Sequence, residues 1–161
     1  MNDAPDAPGA PGPVRQPLQV VAGIVVEHGR VLVAQRHRDQ SFPLLWEFPG
    51  GKVEAGETPE DALAREFQEE LGIAVEARRA YGVIEYPGGD GTPIRVRFFL
   101  ARRLEGSPRA LEVEAVAWVP ATDLPRVDFI PANREIVNRL REDLQGETGL
   151  EAGDSRGEGN P

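Results

Sequence analysis

Between Glu57 and Glu70, fourteen residues hold five glutamates: Glu57, Glu60, Glu66, Glu69 and Glu70. Arg65 stands beside one of them. Positions i, i+3 and i+4 of a helix share a face. Glu66, Glu69 and Glu70 have that spacing, which gathers three carboxylates within about 100° of arc. Leu63, Phe67 and Leu71 fall on the neighbouring arc, so the acidic stripe borders an apolar one. A solvated acidic face is one reading, and most glutamate-rich helices are that. Three features oppose it. Like charges at this spacing cost about a few tenths of a kcal/mol per pair, and only Arg65 offsets them. Glu69 and Glu70 lie toward the C-terminal end of the helix, where its dipole disfavours anions. Gly50-Gly51 stands upstream, where the missing side chains let backbone come close to a partner. Crowded carboxylate oxygens suit a hard divalent cation such as Mg²⁺, which normally also contacts substrate phosphates.

The flanking residues supply the elements that must position these groups. Thr58 is a good N-cap, Pro59 fits the first helical position and Gly72 suits the residue past the end. The helix is therefore expected over Pro59–Leu71. Upstream, LQVVAGIVVEHGRVLVAQR (18–36) reads as two β-branched strands around a His28-Gly29 turn. QRHRDQSFP is a polar loop, residues 44–48 are a short apolar segment, and Pro49-Gly50-Gly51 reads as a sharp turn. Strands are expected near 73–86, 93–103 and 114–120. Ile136, Val137, Leu140 and Leu144 then mark an amphipathic closing helix beginning near Asn133. Strands and two helices in this order predict an α/β fold with a mixed sheet between helices.

Bulk properties set bounds. The chain has 161 residues, enough for one domain. Residues 1–16, rich in Pro, Ala and Gly, and 146–161, rich in Gly and Glu, carry too little apolar surface to offset their ordering entropy. They are expected to be disordered tails around a domain at 17–145. With no cysteine, disulfide and thiolate chemistry are excluded. No apolar run is long enough to span a membrane, and no signal peptide is visible, so a cytoplasmic protein is expected. The net charge of −9 comes without a basic stripe, which argues against a nucleic-acid surface. Metal ions could still bridge this acidic protein to a phosphorylated small molecule.

The stretch GGKVEAGETPEDALAREFQEELGI (50–73) resembles the Nudix box. Gly51, Glu57, Arg65-Glu66, Glu69-Glu70 and Gly72 occupy its fixed positions, and Phe67 and Ile73 its apolar ones. Chance agreement is on the order of 10⁻⁸ per window. The resemblance implies the Nudix α/β/α sandwich and hydrolysis of a nucleoside diphosphate linked to another group. It implies Glu66, Glu69 and Glu70, with backbone at Gly50 or Gly51, as ligands for Mg²⁺ or Mn²⁺. Glu66 is then the candidate base for the attacking water and Arg65 the residue that orients the glutamates. Glu57 would tie the loop to the helix.

Outside the box, LWEFPGGK (45–52) and FIPAN (129–133) are similar to runs of the MutT branch, which holds 8-oxo-dGTP diphosphatases and CTP pyrophosphohydrolases. Glu47, Phe48, Pro49 and Gly50 are the substrate-binding candidates of the first run. In that branch the asparagine corresponding to Asn133 reads a purine edge, a task suited to an amide with donor and acceptor. Asn133 could instead cap the last helix. Arg36 is a candidate nucleotide contact or else a solvated cation. Phe48 and Trp118 read as core sooner than base-stacking groups. Glu112 falls where the branch has an additional catalytic glutamate, and Glu114 is its rival. His28 and His37 read as turn or surface residues. The loop HRDQSFPL (37–44) departs from the branch's pattern.

The implied reaction is hydrolysis of a nucleoside triphosphate, best 8-oxo-dGTP, to the monophosphate and pyrophosphate, guarding the nucleotide pool for DNA replication and repair. A cytidine nucleotide, ADP-ribose or a dinucleoside polyphosphate are the alternatives. A non-catalytic nucleotide sensor on the same fold, or a plain interaction domain with an acidic face, are the other classes. The isopentenyl diphosphate isomerase branch is excluded by the missing cysteine. A small-molecule nucleotide partner and a monomer or homodimer are expected.

Overall fold

The computed structural model describes residues 12 and 14–146. Strands β1 (Leu18–Glu27) and β2 (Arg30–Gln35) form the expected hairpin. Its turn residues His28 and Gly29 both take left-handed φ, 50° and 69°, which matches the twist of a two-residue hairpin. After the pairs Glu27–Arg30 and Val26–Val31 the two strands part. β1 takes β4 (Gly50–Lys52) as its antiparallel neighbour there, while β2 takes β3 (Trp46–Glu47) and β7 (Ala115–Pro120). Glu47-Phe48-Pro49 crosses this fork, anchored by the Gly23 N–H donating to the Pro49 carbonyl at 2.8 Å. The fork makes the Gly50-Gly51 segment a strand, not the turn expected from its glycines.

Between β4 and the next strand lies helix α1, Pro59–Leu71, with the expected bounds. Thr58 Oγ1 accepts the Asp61 N–H at 3.1 Å. Gly72 takes φ 68°, and its N–H donates to the Gln68 carbonyl. β5 (Ala74–Pro87) and β6 (Pro93–Glu105) form a long antiparallel hairpin. β6 also runs parallel to β1, from Leu18–Ile94 to Val25–Ala101, so the sheet is mixed, in the order β3-β2-β1-β6-β5. Two 3-10 turns, Ala121–Arg126 and Pro131–Asn133, lead into helix α2, Arg134–Gln145.

Alternation along the strands divides the core into two layers. Val21, Val25, Phe99 and Ala101 pack against Leu63, Phe67 and Leu71 of α1. Ala22, Ile24, Val96, Phe98 and Leu100 pack with Ile136, Val137 and Leu140 of α2. Each fully buried Leu or Phe contributes about 1.5–3 kcal/mol, so α1 is held by its apolar stripe while its acidic stripe faces the fork. The two tails expected at 1–16 and 146–161 lie mostly outside the described residues. Within them, Arg15 donates to the Thr92 hydroxyl at 3.2 Å.

Candidate active site

Arg65 gathers the acidic stripe. Its Nε and Nη2 grip both oxygens of Glu57 at 2.7 and 2.9 Å. Nη2 also donates to the Lys52 carbonyl, and Nη1 to Glu66 and Glu69 at 2.9 and 3.2 Å. Glu57 additionally accepts the Glu54 N–H at 2.9 Å. The hydrogen bonds from Arg65, with that of Glu54, pull the Glu57 carboxyl down to about 2. The box loop is thereby latched to α1 through charge-assisted, bidentate pairing.

Glu66 lies against β4. A Cβ on Gly51 would overlap its carboxylate, and a Cβ on Gly50 would overlap the Val21 carbonyl. Both positions need glycine for close approach rather than for a turn. Burial raises the Glu66 pKa, and Arg65 works against the rise. Glu70 is more extreme. Burial pushes it up to about 8, and Glu66, Glu47 and Glu112 push the same way, against one hydrogen bond from the Gly50 N–H. Glu47 is raised by burial despite its ion pair with Arg36 at 2.9 Å.

Three carboxylates, Glu47, Glu66 and Glu112, thus act on Glu70. A bound divalent cation reverses such shifts, because the ion becomes the largest local charge. The donors are all oxygen, as Mg²⁺ or Mn²⁺ requires. The residues therefore fit a divalent metal. As the side chains stand, no three acidic or histidine groups among the described residues converge on one point. Arg65 holds Glu66 and Glu69, and Glu69 is the more exposed of the two.

Glu112 arrives from the loop after β6, which docks on the C-terminal end of α1. The N–H groups of Leu111 and Glu112 donate to the Glu70 carbonyl at 3.0 and 3.2 Å, and that of Arg109 to the Leu71 carbonyl at 2.9 Å. Those carbonyls are the ones a helix end leaves unpaired. Its rival Glu114 is taken by Arg38 at 2.7 Å and His37 at 3.1 Å, which hold its carboxyl low. Of the two, Glu112 faces the cluster.

On the other side of Glu47 opens a cavity of about 710 Å³, lined by Arg36, Ser41, Phe42, Ile84, Tyr86, Ile94 and Ile130 among others. Arg36 is no solvated cation. Its guanidinium bonds Glu47, the Ser41 carbonyl at 2.6 Å and the Ser41 hydroxyl at 3.1 Å. Asn133 does not cap α2; its side chain makes no capping hydrogen bond. Buried at 3% exposure, its Oδ1 accepts the Phe48 N–H at 3.0 Å. The Asp128–Ile130 strand-like segment brings it there: Trp46 N–H donates to Asp128 at 2.8 Å, and Ile130 N–H to Trp46 at 2.9 Å. Phe48 is core, edge-on to Phe98 and tilted on Phe129. Trp118 packs on the α1-side layer, away from this cavity. Ser41, Phe42, Ile84, Tyr86 and Ile94 were not legible as site residues. They come from a polar loop and two strands whose convergence no local pattern encodes.

Residues 17–140 match the NUDIX domain. An 8-oxo-dGTP diphosphatase of Haemophilus influenzae is 40% identical over 126 residues, which cover 76% of this chain and 90% of that one. A CTP pyrophosphohydrolase of Escherichia coli is 33% identical over 116 residues, 72% and 85% of the two chains. The crystal structure of a MutT NUDIX hydrolase from Burkholderia pseudomallei is similar at TM-score 0.66 and 31% identity, covering 77% of this chain and 98% of that one. The chain belongs to the Nudix family. It is a Nudix hydrolase with the α/β fold of that family, and hydrolases of this family need a divalent metal.

Proposed function

We propose that the chain hydrolyses a purine nucleoside triphosphate, 8-oxo-dGTP, to the nucleoside monophosphate and pyrophosphate, with Mg²⁺ as its metal and Mn²⁺ as a substitute. One observation carries this reading: the cavity and the glutamate cluster are joined through the Arg36–Glu47 pair. A nucleoside in the cavity directs its phosphates at the cluster. The similarity to an 8-oxo-dGTP diphosphatase supports the choice of base.

Glu66, Glu69 and Glu70, with backbone oxygen at Gly50 or Gly51, would hold the metal. Bound there, it polarises phosphoryl oxygens and lowers the pKa of water. Glu66 takes a proton from the attacking water. Water oxygen bonds to an inner phosphorus, the β one, and the bridge to the α-phosphate breaks. Glu112 adds negative charge beside Glu66 and Glu70 and supports the same proton transfer. Arg65 orients Glu66 and Glu69. Asn133 presents its amide NH₂ to an acceptor on the base edge, since its oxygen is engaged with Phe48.

Product release with Mg²⁺ across 8-oxo-dGTP, the normal dNTPs, CTP, ADP-ribose and diadenosine polyphosphates tests this. A large kcat/KM preference for 8-oxo-dGTP is expected. Preference for a cytidine nucleotide would transfer the reading to the CTP pyrophosphohydrolase side, which the 33% identical relative favours.

A further inference from the structure

Two bulky residues of the loop after β2 hold left-handed backbone: Phe42 at φ 52° and Leu44 at φ 60°. A side chain larger than Asn rarely adopts that region, because Cβ crowds the neighbouring carbonyl. Both residues are also large, apolar and exposed, at 49% and 43%. Among the described residues, Phe42 belongs to neither core layer and stacks on no other ring. Neither local propensity nor hydrophobic burial therefore accounts for its position.

The loop is nonetheless firmly closed. Arg36 N–H donates to the Leu45 carbonyl at 2.9 Å and Leu44 N–H to the Arg36 carbonyl at 3.2 Å. The Gln35 amide donates to the Leu44 carbonyl at 2.9 Å. Arg36 completes the closure with its two bonds to Ser41, next to Phe42, while its third arm is on Glu47. Strain sustained in this way clusters at ligand-binding sites. Phe42 and Ser41 line the cavity, with Ile84, Ile94 and Ile130 also on its walls.

We propose that Phe42 is the stacking wall for the nucleobase and makes the enzyme favour purine over pyrimidine nucleotides, with Arg36 and Ser41 as the positioning residues that hold it there. This rests on the nucleotide-hydrolase reading above. An aromatic face, branched aliphatic side chains and a cation on the side of the glutamates suit a flat π ring with an anionic tail. Stacking grows with the area of overlap, so a two-ring base gains more than a one-ring base. Arg36 acts through Phe42; its donors are already engaged.

The test is steady-state kinetics of the full chain with 8-oxo-dGTP, dGTP and dCTP for Phe42→Ala, Phe42→Trp, Arg36→Lys and the Phe42→Ala/Arg36→Lys double variant. Phe42→Ala is expected to raise KM for purine nucleotides about tenfold and for dCTP about threefold or less, with kcat within about twofold. Phe42→Trp restores the purine KM. Arg36→Lys, which cannot fork between Glu47 and Ser41, also raises the purine KM, and in the double variant the purine-over-dCTP part of the KM rise is no greater than in Phe42→Ala, as residues acting through one contact require. Phe42→Gly, which relieves the left-handed strain, raises the melting temperature while raising KM. A purine KM for Phe42→Ala within twofold of the parent, or an equal rise for all nucleotides, overturns the proposal. If the parent turns over no nucleotide, the proposed reaction fails separately. Calorimetric affinities of the parent and Phe42→Ala for dGMP and dCMP then decide the stacking: loss confined to dGMP upholds it, and equal affinities of the two chains overturn it.

Discussion

Helices α1 and α2 both start beside a residue that can cap, yet only one of them uses it. Thr58 caps α1 through its hydroxyl. Asn133, in the same position before α2, gives its oxygen to the Phe48 N–H eighty-five residues away. A side-chain cap contributes about 1 kcal/mol, and α2 forgoes it, entering instead through the 3-10 turn Pro131–Asn133. α1 breaks a different rule, with three acids at i, i+3 and i+4 toward its C-terminal end and no basic residue in its last turn. Each helix departs from its local optimum where it meets the fork between β1 and β2. Such departures from local preference are expected at functional sites, where tertiary contacts override the optimum of a single element.

The largest effect that tests this contrast belongs to α1. Glu69→Gln is expected to lower kcat by about a hundredfold or more, through loss of a metal ligand. Its metal-free melting temperature should be unchanged or higher, since like-charge repulsion falls. Full activity in that variant would remove Glu69 from the metal set.

Asn133 comes next. Asn133→Ala leaves the buried Phe48 N–H without its acceptor and is expected to destabilise the fold by about 1–3 kcal/mol in denaturant titration. Asn133→Asp keeps an acceptor for Phe48 but removes the NH₂ donor. It should lose discrimination between 8-oxo-dGTP and dGTP, alongside the stability cost of a buried carboxyl. Equal loss on all substrates would instead make Asn133 a purely structural residue.

A smaller effect separates fold from metal by pH. Glu70 is raised from an ordinary 4.5 to about 8 in the folded state. Between those values the folded, metal-free chain holds a proton that the unfolded chain has lost. Its contribution to stability is complete below the unfolded pKa and is lost as pH rises through about 8. Mg²⁺ binds the deprotonated form. The gain in melting temperature on adding Mg²⁺ to chelator-treated protein should therefore be greater at pH 8 than at pH 6. A gain independent of pH would remove Glu70 from the metal set. Glu57 has the opposite sign: its stabilisation, present above 4.5, is lost only as pH falls toward about 2.

The smallest change is expected at the ordinary cap. Thr58→Ala should cost about 1 kcal/mol of stability and leave kcat/KM unaltered. A large kinetic defect there would show that the start of α1 belongs to the chemistry as well.

The sequence by itself determined what short-range physics controls. Thr58, Pro59 and Gly72 set the ends of α1 at Pro59–Leu71, and the 3.6-residue period set its acidic and apolar stripes side by side. His28-Gly29 set the first hairpin, and the spacing of Gly51, Glu57, Arg65 and the glutamates identified the family. Only the tertiary structure decided the rest. The parallel pairing of Val21 with Arg97 and the fork that makes Gly50-Gly51 a strand join segments far apart in the chain. So do the docking of the Glu112 loop on the end of α1, the pairing of Glu114 with Arg38 and the bond from the Phe48 N–H to Asn133. Hydrogen-bond partners in such contacts are chosen by packing, which depends on every layer at once, and no single window of sequence contains that information.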